Sequence, residues 1–155
     1  TARSASGDIN VRHVTGRAEI KVASGDVTIE LAGGDTRAVS ASGDVTISTA
    51  EGDCSVVTAS GDAELGTAAG GLNVKTASGK VLVERYEGDT LIAKSVSGRL
   101  DLRIATGRRV DLDIRTLSGR VDLPSPSDSP TPPDGPEVQL RAKSVSGNII
   151  IGRAE

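Results

Sequence analysis

The sequence has almost no aromatic side chains. Its 155 residues include a single tyrosine, Tyr86, and no phenylalanine, tryptophan or methionine. A broad globular interior usually needs large side chains to fill irregular volume, whereas a narrow stacked coil can be filled by rows of small β-branched ones. The hydrophobic residues, 36% of the chain, are mostly Val, Ile, Leu and Ala, which indicates a thin core, and the length suits one domain over residues 1–155.

Chemical groups for catalysis are also scarce. His13 is the only histidine, so the chain cannot assemble a repeated Ser/His/Asp arrangement, and no glycine-rich phosphate loop opens a helix because no helix is predicted. Cys54 is the only cysteine, which excludes an intrachain disulfide, and its inward strand position predicts a buried, inert thiol. We therefore expect no catalytic, cofactor-binding or metal-binding residues, and a protein that is not an enzyme.

Charge and hydropathy exclude further classes of protein. The net charge of −3 is spread along the chain, without the basic stripe or aromatic platform on which nucleic-acid binding depends. No run of about 18 apolar residues is present, so no transmembrane segment is predicted. The chain begins inside a repeat, so we expect the C-terminal part of a longer chain.

What the sequence does have is a repeat. Glycines recur every nine residues from Gly7 to Gly88 and continue with small slips to Gly147. Each unit, such as ASGDVTIEL at 23–31, alternates apolar and polar residues as β-strands do. Serine precedes the glycine at every second corner, so the full turn has eighteen residues. The pattern predicts an all-β fold, a single-stranded parallel β-helix or β-solenoid with about 18 residues per turn, built from two nine-residue strand-corner units.

The repeat also predicts which side chains face the core. Residues two and four positions after each glycine should point inward, so that Val27, Val45, Ala63 and Val81 form one stacked row. A small residue two positions before each glycine is also expected to point inward, where the backbone bends across the narrow end of the coil. That second row contains Ala23, Ala32, Ala41, Ala50, Ala59, Ala68 and Ala77, followed by Tyr86, Val96 and Leu117.

Two stretches of the surface differ from the rest. Segment 124–136, PSPSDSPTPPDGP, holds all six prolines and cannot pair in a ladder, so it is expected to be a surface loop, either a tolerated insertion or a binding loop. On the outward side of one strand row, we expect Val39 and Val57 to stack on adjacent rungs, with Leu91 and Ala93 two rungs further on. These four residues are a candidate partner strip, against the alternative of an ordinary solvated face.

A row of aspartates after the corner glycines raises two other possibilities. One is a catalytic row of carboxylates, although aspartate at such corners usually bonds turn backbone; the residues that follow a corner glycine are Asp8, Asp26, Asp35, Asp44, Asp53, Asp62 and Asp89. A calcium-binding β-roll has the same eighteen-residue period. Its spacing of glycine, aspartate and apolar residue differs, however, and the equivalent position elsewhere holds arginine or lysine, which cannot bind calcium.

The motifs resemble those of one known family. The S-G-D-V corner, the VDLDIRTLSGRVD run at 110–122, the Pro-rich segment and the closing VQLRAKSVSGNIII are similar to the bacterial β-strand-repeat family labelled as adhesins, a domain of unknown function. The resemblance implies a β-solenoid and a bacterial source, with the protein in the cytoplasm or at the cell surface, and it supplies no catalytic residues. A looser similarity is to bactofilins, cytoskeletal β-helices that polymerise end to end.

Three functions follow as hypotheses. The first is a noncatalytic, adhesin-like scaffold or interaction module that binds a protein or cell-surface partner. The second is a self-assembling, bactofilin-like filament subunit that associates through its solenoid ends, because neither the first repeat nor the final 148–151 carries a capping element. The third is a calcium-binding β-roll.

Overall fold

A computed structural model describes residues 1–123 and 134–154 of the chain. These residues form thirteen β-strands and contain no helix. The strands are β1 (Ala2–Ser6), β2 (Ile9–Val14), β3 (Ala18–Ser24), β4 (Val27–Ala32), β5 (Thr36–Ser42), β6 (Val45–Ala50), β7 (Cys54–Ser60), β8 (Ala63–Ala68), β9 (Leu72–Tyr86), β10 (Thr90–Ala105), β11 (Arg109–Ser118), β12 (Val121–Asp122) and β13 (Glu137–Ala154). The all-β class expected from the sequence is confirmed.

Every described strand pairing is parallel, and each joins segments one turn apart in the chain except the pairing of β10 with β13. One layer, called layer 1, comprises β1, β3, β5, β7, the N-terminal halves of β9, β10 and β13, and β11. The opposite layer, layer 2, comprises β2, β4, β6, β8, the C-terminal halves of β9, β10 and β13, and β12. The chain therefore winds as a β-solenoid whose turns, up to β9, have the expected eighteen residues.

The predicted inward row is present in layer 2. Val27 pairs with Val45, Val45 with Ala63 and Ala63 with Val81, and each is at most 1% exposed. Inward pairs of layer 1, such as Thr36 with Ala38, are buried as well. Alternation of apolar and polar residues thus positions the core correctly through the regular turns.

The Ser-Gly corners depend on glycine for a steric reason. Gly43 has φ +126°, and a Cβ atom added there would lie 2.2 Å from the carbonyl oxygen of Gly25 on the preceding rung. The rungs pack so closely at this corner that no side chain fits between them. The period of nine is therefore a requirement of close backbone stacking as well as of turn conformation.

The order of rungs departs from the order of the chain at the C-terminal end. β13 pairs with β10 on one side and with β11 and β12 on the other, so the last strand lies between two earlier rungs. Ile149 and Ile151 are consequently buried, which corrects the expectation that 148–151 forms an open final rung. Of the Pro-rich segment 124–136, only 134–136 are among the described residues, where Pro136 accepts a hydrogen bond from the Arg109 amide.

Candidate functional site

A column of small apolar side chains runs along the outside of layer 1. It consists of the residues two positions before the glycines of the Ser-Gly corners, all of them exposed. In axial order these are Ala5, Ala23, Ala41, Ala59, Ala77, Val96, Val145 and Leu117. The expectation that Ala23, Ala41, Ala59, Ala77, Val96 and Leu117 point inward is therefore wrong.

The phase of alternation differs between the two layers and explains this correction. In layer 1 strict alternation continues to the corner, so Ala38 and Ser40 are buried and Ala41 faces outward. In layer 2 the alternation shifts by one residue after Ile47, so Ala50 is buried. The expected inward row therefore holds only at the layer 2 corners, with Ala32, Ala50, Ala68 and Tyr86.

A second outward column, called the basic column, lies two residues before the apolar column in each rung. Registers of the ladder fix its order as Arg3, Lys21, Val39, Val57, Lys75, Lys94, Lys143 and Arg115. Two valines thus occupy the middle of the first six rungs, with cations on both sides of them. The column contains no acidic residue.

Between these two columns lies a groove of about 920 Å³ that extends over six rungs, from Ala5 to Val96. Its floor is formed by residues such as Ser40 and Thr58, whose side chains are buried, so that backbone atoms face the groove. An adjoining depression of about 790 Å³ continues it past Lys94 to Val145 and Leu117. The two depressions together form one continuous, mainly apolar strip on the outer face of layer 1.

The groove is basic although the chain as a whole is acidic. All charged residues that line the groove and the adjoining depression are lysine or arginine, in a chain with a net charge of −3. Lys21 pairs with Glu19 at 2.8 Å, and the hydrogen bond from Lys21 lowers the pKa of that carboxyl group. Among residues 1–123 and 134–154, Lys75, Lys94 and Lys143 form no ion pair, so their charges face the solvent.

The candidate partner strip is placed only in part as expected. Val39 and Val57 lie next to each other in the basic column, half-buried and facing outward. Leu91 and Ala93 are fully buried, because one additional residue in the preceding corner shifts the phase and pairs them with the inward Leu72 and Val74. Their place on the outer surface is taken by Lys94, which pairs with Lys75.

Sequence reasoning missed the basic column and the outward alanines. The signal was present in the sequence, since lysine or arginine stands four residues before six of the eight Ser-Gly corners. It was overlooked because spacing was counted from the nearest glycine and because alanine fits equally well inside or outside a strand.

The remaining reactive side chains have structural roles. Asp26 accepts a hydrogen bond from the backbone amide of Asp44 on the next rung at 2.9 Å, and Asp8, Asp44 and Asp62 bond the following rung in the same way. The interpretation that these aspartates bond corner backbone is confirmed. Burial raises the pKa of the Cys54 thiol to about 12, which keeps it protonated and unreactive near neutral pH.

Other described side chains offer no alternative centre. No group of three or more His, Cys, Asp or Glu residues suited to a metal ion occurs in 1–123 and 134–154. Over the same residues, no helix has the length and apolarity to cross a membrane. The groove of layer 1 is therefore the candidate site that the geometry supports best.

The fold and the groove define a class of protein, a parallel β-solenoid with an elongated surface site. Residues 1–151 match the family described as Toastrack DUF4097, and the chain belongs to this family of domains of unknown function. No curated protein and no solved structure matches the chain.

Proposed function

We propose that this domain is a noncatalytic interaction module, adhesin-like in that it binds a protein or cell-surface partner along the groove of layer 1. The observation that carries the proposal is the pairing of an apolar column with a basic column that contains no acid. An apolar strip with a charged margin of one sign favours association with a complementary partner and sets its orientation.

The scaffold beneath the groove supports such a role. Strands β3, β5 and β7 beneath the groove pair on both sides with neighbouring rungs, and the glycines of these corners stack without space for a side chain. A site held this rigidly loses little conformational entropy when a partner binds, and this increases the affinity obtained from a given contact area.

Site-specific photo-crosslinking tests the proposal. A benzophenone side chain placed at Ala59, in the groove, should yield a discrete adduct in an extract of the source cells, and Lys75→Glu together with Lys94→Glu should abolish it. The same probe at Glu64, on the outer side of layer 2, is the matched control. Equal adducts at both positions, or none at Ala59, would contradict an interaction site in the groove.

End-to-end assembly, as in a filament subunit, is a second candidate because of the terminal rung. β11 pairs with β13 and with no other described strand, and Leu112 is 37% exposed at this end. An open strand edge with apolar side chains is a template for pairing with another copy. Light scattering over a hundredfold concentration range should show growing mass that Leu112→Lys prevents, and a constant monomeric mass would exclude this candidate.

A further inference from the structure

We propose that the partner segment bound in the groove is an amphipathic α-helix whose apolar face is flanked by acidic residues. The inference rests on the proposed function, which places the binding site in this groove. It adds the conformation and the charge of the occupant, and each follows from a different feature of the site.

The helical conformation follows from the backbone of the groove floor. β5 pairs with β3 on one side and with β7 on the other, so the amides and carbonyls of layer 1 are already bonded along the solenoid axis. An extended peptide laid along the groove would find no ladder to join. Each backbone group that it buried against the apolar column without a partner would cost about 1–3 kcal/mol. An α-helix bonds its own backbone internally and avoids this cost.

The dimensions of the groove suit a helix of ordinary length. The groove crosses six rungs, from Ala5 to Val96, and five intervals of about 4.8 Å give a length of ~24 Å. At ~1.5 Å per residue, a helix of about 16 residues covers that distance. One helical turn rises ~5.4 Å and one rung ~4.8 Å, so apolar side chains repeating once per turn follow the rungs with a drift that reaches ~3 Å over the whole groove.

The acidic flank follows from the order of the basic column. Arg3 and Lys21 lie at one end of the groove and Lys75 and Lys94 at the other, with valines between them. Acidic residues near both ends of a helix would pair with both groups of cations. A single acyl chain, the main alternative occupant of an apolar groove, carries one anionic head group and would reach the cations at only one end.

The test is selection from a displayed library of 20-residue helical peptides. The apolar positions are fixed as leucine, and the flanking positions are randomised among Glu, Lys, Gln and Ser. Selection on the folded domain should enrich glutamate on one flank, and a selected peptide should bind at least tenfold more tightly than its Glu→Lys counterpart. It should gain helical circular dichroism on binding, and its affinity should fall as salt is raised.

Matched charge variants assign the binding to the groove. The double variant Lys75→Glu with Lys94→Glu should lower the affinity for the selected peptide at least tenfold. The control variant is Arg12→Glu with Arg99→Glu, since both arginines are exposed and lie outside the groove. Its affinity for the peptide should stay within twofold of the wild type. Melting temperatures verify that both double variants fold. Oleate and phosphatidylglycerol vesicles serve as the lipid probes.

Three outcomes would overturn the inference: no enrichment, enrichment of lysine, or binding of the lipid probes without binding of any peptide. If one of these results is obtained but crosslinking from Ala59 persists, the proposed function stands. Only the inference of a helical partner with acidic residues is then rejected. Loss of that crosslinking would instead remove the proposed function itself.

Discussion

Leu100 in β10 and Ile149 in β13 are paired neighbours in layer 2, and both are fully buried. The residue that follows Leu100 by one turn in the chain therefore does not cover it. β13 fills that place and separates β10 from β11 and β12. All pairing of the β11 and β12 rung with the rest of the described fold passes through β13.

Replacement of Ile149 by aspartate should disrupt the pairing of β11, β12 and β13 with the rest of the fold. An unpaired charge in this core is expected to cost about 3–5 kcal/mol, and amides of β11 and β12 should lose protection from hydrogen exchange together with those of β13. Strands β2 to β6 should keep theirs. Ile150→Asn, an uncharged change at the adjacent outward position between Asp101 and Asp122, is the control and should change protection little. Retained protection in β11 after loss of β13 would contradict the inserted order.

Two glycines should respond very differently to alanine. Gly43→Ala places a Cβ against the Gly25 backbone at a positive φ and should cost at least about 3 kcal/mol of unfolding free energy. Gly16→Ala should stay within about 0.5 kcal/mol, since no atom lies within 4 Å of its added Cβ and its φ is ordinary. Denaturant unfolding measures both variants, and equal effects would show that the corners are not closely stacked.

Stability should fall at alkaline pH for an identifiable reason. Burial raises the pKa of Cys54 from 9.0 to about 12 and that of Tyr86 from 10.0 to about 12. Because the folded state favours the neutral forms, this contribution is complete below about pH 9 and is lost as the pH rises towards 12. The pKa of Cys54 rises by about three units, and each unit corresponds to ~1.36 kcal/mol. The contribution of Cys54 to the unfolding free energy is therefore about 4 kcal/mol.

Comparison with Cys54→Ala isolates that part. Unfolding free energies measured at pH 8, 10 and 11 should decline less steeply for the variant than for the wild type, whereas the titration of Tyr86 affects both proteins equally. Parallel pH profiles would show that the thiol is not buried.

Calcium should leave the melting temperature unchanged within about 1 °C, since a ligand that binds only the folded state would raise it. The corner carboxylates of Asp8, Asp26, Asp44 and Asp62 each use one oxygen to accept an amide of the next rung. Thermal melting with millimolar calcium and with a chelator provides the measurement. A rise of several degrees would support the β-roll hypothesis instead.

The regular turns were predictable because spacing alone determines them. With a strict period of eighteen, Val27, Val45 and Ala63 must stack, and alternation fixes the side that faces the core. The same reasoning failed for Leu91 and Ala93, where one inserted residue shifts the phase of the positions that follow in β10, until the register shifts again after Leu102. It also failed for the layer 1 alanines, since a methyl group gives no hydrophobic signal strong enough to show which way it points.

The inserted position of β13 could not be deduced from the repeat. Its residues match those of β11 position by position, as Leu140 matches Leu112 and Ser146 matches Ser118. Either strand could therefore pair with β10 with similar side chains in each row. What distinguishes them is burial in the completed fold, where Leu140 is fully buried and Leu112 lies at the open end.

The insertion of β13 also determines how the domain resists mechanical force. A force that peels an edge strand away from its neighbour breaks the hydrogen bonds of that strand one after another. β13 is bonded along both sides, to β10 and to β11 with β12, so tension applied through Arg153 along the strand loads two parallel ladders together in shear. A tether attached at this end would therefore hold the domain by a strand that is bonded along both sides rather than by an edge strand.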